Sequence, residues 1–145
     1  PLSDDDSLEV FEAMEIRDCF VANERFGHLA GREVSINELV KYPIIMLEKN
    51  TSTRRYIDEY LSQHAVKLTP EFELATSDLI VEFACRGLGI SCVVWNFAEE
   101  YIKTGKLFEI NLKEKIPPRQ FGIIKLRNVP LTAAAKKFVE LIYSR

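Results

Sequence analysis

The chain has 145 residues, and with 47% hydrophobic and 28% charged residues it has the composition of a globular domain that can bury a core. Its 19 basic and 22 acidic residues give a net charge of −3, and the small basic clusters at Arg54–Arg55, Lys113–Lys115 and Lys136–Lys137 are interpreted as solvated faces. Because nucleic-acid affinity comes largely from Lys and Arg that neutralise phosphates, the chain is not expected to bind DNA by itself.

The first predicted elements are a strand, a short helix and a second strand. Cys19–Ala22 is a short apolar run and predicts a buried strand. Ser35–Glu38 has the spacing of a capping box and predicts the start of a short helix, which Pro43 ends. Ile44–Leu47 is apolar throughout, which is typical of a strand that is buried on both faces of a parallel sheet.

A longer helix is predicted from the hydroxyl-rich stretch Thr51–Thr53 to about His64. Its apolar side chains recur at helical spacing, and Arg54 is expected to pair with Asp58 on the outer face. The alternation then continues to the end of the chain. The later predicted elements are a strand at Phe72–Ala75, a helix from Ser77 to Arg86 that ends at Gly87, a strand at Ile90–Trp95, a helix at Phe97–Thr104, an edge strand at Leu107–Leu112, a strand at Phe121–Leu126 and a last helix capped by Thr132.

Strand and helix follow one another four times, which predicts an α/β fold with right-handed crossovers and a mostly parallel sheet. In such sheets ligands bind beyond the carboxyl ends of the strands, where helices begin. The loops expected to line a site are therefore Leu47–Thr53, Thr76–Asp78 and Trp95–Phe97.

Hydroxyl side chains are concentrated in the first two of these loops. Backbone N–H groups at a helix N-terminus and the positive end of the helix dipole favour an anion. Ordinary capping explains any one of these hydroxyls, but two such loops together favour a small polar or anionic ligand. Glu48 leaves two alternatives to an anion-binding role open: its carboxylate meets an amine of the ligand, or it simply faces water. The hydroxyl residues are Thr51, Ser52, Thr53, Thr76 and Ser77.

Catalytic and metal-binding patterns are not found in the sequence. His28 and His64 have no Cys, Asp or Glu at a metal-ligand spacing, and Cys92 lies within an apolar run that indicates a core residue. The chain has neither a GxSxG nor a GxxxxGK[ST] motif, and the glycines of RGLGI follow a helix where a nucleotide loop would precede one. We therefore expect no catalytic residues, no metal and no cofactor.

The compartment is predicted from the cysteines and the apolar runs. No run approaches the roughly 18 apolar residues that cross a bilayer, and the acidic opening PLSDDDSLEV is unlike a signal peptide. Cys19, Cys85 and Cys92 form no paired framework, so we expect reduced thiols in a cytoplasmic protein. Since the sequence does not begin with Met, we expect it to be a product of truncated expression or of proteolysis, or the C-terminal part of a longer protein.

Four segments in order resemble the LysR-type transcriptional regulators. The run KYPIIMLEKNTSTRRYIDEYL is similar to the family segment in which a Tyr/Pro pair precedes a strand, a hydroxyl-rich loop and an Arg that opens a helix. The most specific signature is FELATSDLIVEFACRGLGISCVV. Upstream, DCFVANERFGHLAGREVSINELVKYPI resembles the lead-in, and LFEINLKEKIPPRQFGIIKLRNVPLTAAAKKFVELI resembles the return strand and last helix. The resemblance covers essentially the whole chain.

The resemblance implies a fold like that of type II periplasmic binding proteins, with a small-molecule effector between two lobes. Residues 1–115 correspond to the second lobe with a lead-in from the hinge, and residues 116–145 to the returning strand and C-terminal helix of the first lobe. From the resemblance we expect that much of that first lobe has no counterpart in the chain. The resemblance also implies DNA binding through a missing N-terminal helix-turn-helix domain, a homo-oligomer (dimer or tetramer) and no membrane association.

By motif position, the resemblance implies effector contacts in each of the three loops and at the strand ends. Met46 and Leu47 are apolar where some family members have hydroxyls, which argues against a sulfate-like ligand. The residues carried over are Met46, Leu47, Asn50, Thr51, Ser52, Thr53, Thr76, Ser77, Ile90, Trp95 and Asn96.

Two alternatives share the predicted fold. A solute-binding protein of a transporter is the nearer one, although three unpaired cysteines argue against export. An enzyme is the other, and it would need an acid–base pair in the cleft. The candidate loops offer only Glu48 and Asp78 for that role, and Asp78 lies where a helix dipole keeps a carboxylate ionised.

Overall fold

The computed structural model describes residues 6–143, which form two compact units. The sheet unit runs from Arg17 to Pro117, and the hairpin unit contains the described residues on either side of it. The strands are β1 (Leu8–Ile16), β2 (Asp18–Ala22), β3 (Glu33–Val34), β4 (Ile44–Leu47), β5 (Phe72–Leu74), β6 (Ile90–Val94), β7 (Phe108–Glu109), β8 (Asn111–Leu112) and β9 (Arg119–Leu126). The α-helices are α1 (Ser52–Gln63), α2 (Ser77–Cys85), α3 (Trp95–Lys103) and α4 (Ala133–Tyr143).

The sheet unit is built on five strands in the order β5-β4-β6-β2-β7. Strand β4 is parallel to β5 and β6, and helices α1 and α2 provide the connections that parallel strands require. Strand β2 is antiparallel to β6 and β7, so the sheet is mixed. The predicted α/β fold is confirmed, and its parallel part is the three-stranded group around β4.

Both faces of this sheet are covered, which explains the uninterrupted apolar strands. Ile44, Ile45, Met46 and Leu47 of β4 alternate between two core clusters, one on each face. Cys19 and Cys92 are also buried, as expected of core residues. Because an apolar side chain points to each face in turn, β4 is held by packing from both sides.

Two glycines explain the tight passage from α2 into β6. Gly87 has φ of +68°, the left-handed conformation that was predicted to end the helix. A Cβ at Gly89 would lie 2.6 Å from the main-chain oxygen of Pro43. Only glycine therefore allows β6 to approach the residue before β4 so closely.

Two capping predictions need correction. The N-cap of α2 is Thr76, whose hydroxyl accepts from Leu79 N, and Ser77 is the first helical residue. Residues Ile36–Lys41 form a 3-10 helix, but its N-terminus is not closed by the predicted capping box. The carboxylate of Glu114 accepts from Ile36 N instead, at 2.8 Å. A residue far along the chain thus supplies the cap, which a local pattern does not reveal.

The hairpin unit contains β1 and β9, which pair antiparallel with a register shift between Glu12 and Met14. Helix α4 follows, and the Thr132 hydroxyl accepts from Ala135 N at 3.2 Å as predicted. No strand was predicted at β1.

Across residues 6–143, no helix is long and apolar enough to span a membrane. Large apolar side chains that are exposed in the described part of the hairpin unit are Met14, Phe121, Ile124, Leu126, Val129, Phe138 and Leu141.

Candidate functional site

The candidate site lies where the three parallel strands end. Strands β4, β5 and β6 end at Leu47, Leu74 and Val94, and each is followed by a helix. Strand β2 runs the other way, so its first residue, Asp18, pairs with Val94 at the same edge. We call this side of the sheet unit the carboxyl edge, and it carries all three loops that were predicted to line a site.

The first loop is closed by the hydroxyl of Thr51. This hydroxyl donates to the main-chain oxygen of Glu48 at 3.0 Å and accepts from Arg54 N at 3.2 Å, which caps α1. The Arg55 guanidinium donates to the main-chain oxygen of Asn50 at 3.1 Å. Asn50 is exposed, so the tip of this loop presents its side chain to solvent on a fixed backbone.

Arg54 is buried beneath this loop, with 4% of its side chain exposed. Its Nη1 donates to the main-chain oxygen of Leu47 at 2.7 Å and to Glu73 at 3.0 Å, and its Nε bonds Asp58 at 3.0 Å. Burial lowers the pKa of Arg54, but the bonds to the two carboxylates raise it, and the net direction is upward. The predicted pairing with Asp58 is confirmed. The interpretation of Arg54 as part of a solvated face is wrong, because the guanidinium turns inward to bond the end of β4.

The second loop holds Thr76 at the N-terminus of α2. The Thr76 hydroxyl lies 3.5 Å from Leu79 N, which is at the long limit for a hydrogen bond, and the residue is exposed. Ser77 beside it is half-buried. The Thr76 hydroxyl is therefore only weakly engaged by its own helix and is accessible to a ligand.

The third loop is a direct passage from β6 into α3. Val94 is the N-cap of α3 and offers no side-chain hydrogen bond. Trp95 N donates to the main-chain oxygen of Arg17 at 2.8 Å, and the Arg17 guanidinium carbon lies 5.3 Å from the centre of the indole ring. Arg17 also forms a two-pronged ion pair with Glu109, in which Nη2 and Oε2 are 3.0 Å apart. Trp95, Arg17 and Glu109 thus form a row at the carboxyl edge.

A cavity of about 430 Å³ adjoins this row, within the size range of small-molecule sites. Asp18, at its wall, is buried with 2% of its surface exposed. Burial raises the pKa of the neighbouring Cys19 thiol to about 12, so this sulfur stays protonated and unreactive at neutral pH. Charged groups and an apolar floor therefore meet in one cavity. Its apolar lining includes Phe20, Ile110, Leu112 and Ile116, and its polar lining Arg17, Asp18, Glu109, Asn111 and Lys115.

The residues predicted to contact an effector divide into two groups. Met46, Leu47 and Ile90 are buried in the core, and the crevice between Met46, Leu47 and Thr53 has no room for a water molecule. Their predicted contact role remains a prediction, and packing is the role that is visible. The structure brings the others to the carboxyl edge at the starts of α1, α2 and α3: Asn50, Thr51, Ser52, Thr53, Thr76, Ser77, Trp95 and Asn96.

Sequence reasoning missed Arg17, Asp18 and Glu109 at this edge. The available signal was the Arg-Asp pair directly ahead of the apolar run of β2. In a parallel sheet that pair would lie at the opposite edge from the ligand loops. The antiparallel direction of β2 places it beside Val94 instead.

No group of three or more His, Cys, Asp or Glu residues suited to a metal ion occurs among residues 6–143. The His28 ring nitrogen Nε2 lies 3.0 Å from the hydroxyl of Tyr42, and His64 Nδ1 lies 2.9 Å from the main-chain oxygen of Tyr60. Both histidines thus have local partners away from the three loops.

The chain matches a known protein family and individual proteins of known sequence. The model of the family described as "LysR substrate binding domain" matches residues 1–145. The helix-turn-helix-type transcriptional activator CmpR of Synechocystis is 25% identical over 125 residues, which are 86% of this chain and 41% of CmpR. YeiE of Escherichia coli K12, an uncharacterised transcriptional regulator of the same type, is 30% identical over 112 residues, 77% of this chain and 38% of YeiE. The chain thus spans about two fifths of the length of these relatives.

Solved structures agree on the fold. The Synechocystis CcmR regulatory domain in complex with 2-PG superposes with a TM-score of 0.85 at 19% identity, over 99% of this chain and 69% of that one. The effector binding domain of QuiR in complex with shikimate superposes with a TM-score of 0.77 at 15% identity, over 98% and 66%. The expected α/β fold of the periplasmic-binding-protein type is confirmed by these similarities.

Proposed function

The chain belongs to the LysR substrate-binding domain family, and on that premise we propose that it is the effector-sensing part of a LysR-type transcriptional regulator. In this proposal the chain binds a small polar or anionic organic molecule at its carboxyl edge. The related proteins are transcriptional regulators, which favours this function over that of a transporter's solute-binding protein.

The observation that carries the proposal is the meeting of three features at one edge of the sheet. Two helices begin there at threonine caps, Thr51 and Thr76. The third helix begins at Trp95, whose ring contacts Arg17. Backbone N–H groups, hydroxyls and a guanidinium all suit the oxygens of an organic acid, and the indole and the adjacent cavity suit its carbon skeleton.

Each part of the edge has a separate role in the proposal. Asn50, Ser52 and Thr76 donate hydrogen bonds to the effector. Trp95 and Asn96, at the start of α3, contact its other side. The buried residues inherited from the family resemblance act by packing: Met46 and Leu47 hold the end of β4 in place beneath the first loop, and Ile90 packs in the core at the start of β6. The CcmR and QuiR domains that share the fold are complexed with 2-PG and shikimate, which supports a small acid as the class of ligand.

The remaining parts of the proposal concern the parent protein. DNA binding belongs to a helix-turn-helix domain outside this chain, and the regulator acts in the cytoplasm as a dimer or tetramer. We assign no enzymatic activity. At the carboxyl edge the exposed carboxylates Glu48 and Asp78 lie on different loops. A general acid–base mechanism needs both groups placed around one substrate.

A thermal-shift screen of the full-length regulator tests this proposal. Organic acids, amino acids and inorganic oxyanions are compared, with 2-PG and shikimate as the first two probes. A ligand that binds the native state raises the melting temperature in a concentration-dependent way. We expect stabilisation by members of the organic-acid group. Stabilisation by none of the three groups, or turnover of a stabilising compound, contradicts the proposal.

A further inference from the structure

Two tyrosines of α1 hold the segment by which the chain leaves the sheet unit. The Tyr60 hydroxyl donates to the main-chain oxygen of Glu114 at 2.6 Å, and the Tyr56 hydroxyl donates to that of Pro117 at 2.7 Å. Residues 113–117, which we call the exit segment, follow β8 and contain no strand or helix. Helix α1 thus provides donors to two main-chain oxygens of this segment through two side chains one turn apart: one at half-buried Glu114 and one at exposed Pro117.

The Tyr60 hydroxyl remains a hydrogen-bond donor because its surroundings keep it protonated. Tyr60 is buried, with 4% of its surface exposed. Burial raises its pKa to about 12, and the negative charge of Glu114 adds to the effect. The phenol is therefore protonated throughout the physiological range and donates to the exit segment at every relevant pH.

The exit segment is anchored on its other side as well. The Glu114 carboxylate accepts from Ile36 N at 2.8 Å and from the Ser35 hydroxyl at 3.2 Å. Hydrogen bonding from the main chain at Ile36 lowers the pKa of Glu114, which keeps it an acceptor. One residue of the exit segment thus bonds α1 through its main chain and the 3-10 helix through its side chain.

The same helix α1 begins at the first loop of the carboxyl edge, of which residues 48–53 are called the first ligand loop below. Thr51 caps it, and buried Arg54 ties its first turn to the end of β4. From Thr51 to Tyr60 the helix rises by roughly 14 Å, at about 1.5 Å per residue. A helix of this length moves as one body, so a displacement at Thr51 reaches both tyrosines.

We propose that Tyr56 and Tyr60 are positioning residues that couple the first ligand loop, residues 48–53, to the exit segment. A displacement of the loop shifts α1. The hydrogen bonds from the two tyrosine hydroxyls transmit this shift to Glu114 and Pro117, where the chain leaves the sheet unit. As a step in effector sensing this rests on the proposed function. The coupling itself is a property of the free chain.

Hydrogen exchange read by mass spectrometry tests the coupling without any ligand. Thr51→Val removes the cap of α1, and the exchange of the amides in residues 113–116 is the readout. The signal comes from the Lys113 amide, which donates to the main-chain oxygen of Val34 at 2.9 Å and is therefore protected. With both tyrosines present, we expect its exchange to rise roughly fivefold, the ratio equivalent to about 1 kcal/mol for a lost cap. When both tyrosines are replaced by Phe, the exchange is already faster, and adding Thr51→Val should not raise it further.

The matched control is Tyr42→Phe, because the Tyr42 hydroxyl also has partners inside the sheet unit, His28 and Glu38, but none on the exit segment. In that background the response to Thr51→Val must persist. A purely structural role for Tyr56 and Tyr60 predicts that the exit segment ignores Thr51→Val, or responds equally in all three backgrounds, and either result overturns the proposal.

Far-UV circular dichroism verifies that each variant is folded. If the double variant is not, Tyr56→Phe alone replaces it and must reduce the response. Because no ligand is used, failure here leaves effector binding at the carboxyl edge untouched. A negative ligand screen, conversely, leaves this coupling untouched.

Discussion

Arg54 Nη1 and the main-chain oxygen of Leu47 are 2.7 Å apart, so a buried guanidinium closes the end of β4 directly beneath the first ligand loop. The same nitrogen also bonds Glu73 of β5 at 3.0 Å. One side chain therefore joins α1 to the ends of two neighbouring strands. The first turn of α1 is therefore hydrogen-bonded to the strand ends beside the loop.

Arg54→Met tests this role. The substitution keeps most of the apolar stem but leaves the Leu47 oxygen and two carboxylates without their donor. We expect a loss of roughly 2–3 kcal/mol in the free energy of unfolding, measured by urea denaturation. Arg55→Met is the control, since the exposed Arg55 guanidinium donates to the main-chain oxygen of Asn50, and its free energy of unfolding should stay within about 0.5 kcal/mol of the wild type. Equal effects at both positions would refute the structural role of Arg54.

Thr76→Val tests whether the second loop senses the effector. The exposed Thr76 hydroxyl is weakly bound to its own helix, so its loss should weaken the inducer response of the full-length regulator and leave basal DNA binding intact. Reporter induction and gel-shift affinity measure the two quantities. Thr104→Val removes another exposed hydroxyl, at the end of α3, and should change neither. If induction by the Thr76→Val regulator equals that of the wild type, Thr76 is a cap and nothing more.

Acid should weaken the sheet unit through Glu114. Folding lowers the pKa of this carboxyl through the bond from Ile36 N, so the folded state holds the proton less tightly than the unfolded state. The stabilisation is present above the ordinary value of 4.5 and is lost as pH falls through the lower folded pKa. Urea denaturation across this pH range should show that the free energy of unfolding falls less steeply with acid in Glu114→Gln than in the wild type. If it falls equally steeply in both proteins, the Glu114 carboxylate does not stabilise the fold through its bond from Ile36 N.

The hairpin unit should associate through its apolar side chains. Phe121, Phe138 and Leu141 each expose more than half of their surface, and extended apolar patches usually mark interaction surfaces. We expect the 145-residue chain to self-associate through residues 121–143 at micromolar concentrations, as measured by light scattering. Phe138→Ser with Leu141→Ser should shift the population towards monomer. A monomeric wild-type chain across the whole concentration range would rule this out.

The sequence predicted the elements of the sheet unit well because their signals are local. The apolar run of β4 and the glycine stop at Gly87 depend on neighbouring residues only. Strand β1 was missed although Leu8, Val10 and Met14 follow a period of two. Its acidic surroundings concealed the alternation, and none of the β1 residues whose burial is described is fully buried, so the apolar pattern is weak.

Part of the candidate site was predicted from the sequence, and the part that was missed depends on contacts between distant segments. The loops after β4, β5 and β6 follow from the parallel order of those strands. Arg17 and Glu109 reach the same edge only because β2 is antiparallel to β6, and strand direction is decided by long-range pairing. The inward turn of Arg54 and the cap that Glu114 supplies to Ile36 depend on tertiary contacts in the same way.

The central claim, that a small organic acid binds at the carboxyl edge, is tested most directly by nuclear magnetic resonance titration of the isotope-labelled chain with 2-PG and shikimate. Trp95 is the only tryptophan, so its indole N–H signal reports on the edge without ambiguity. We predict saturable shifts, at up to millimolar acid, for that signal and for the amides of residues 48–53 and 75–77. Shifts centred on any other surface, or no shifts with either acid, would contradict the account.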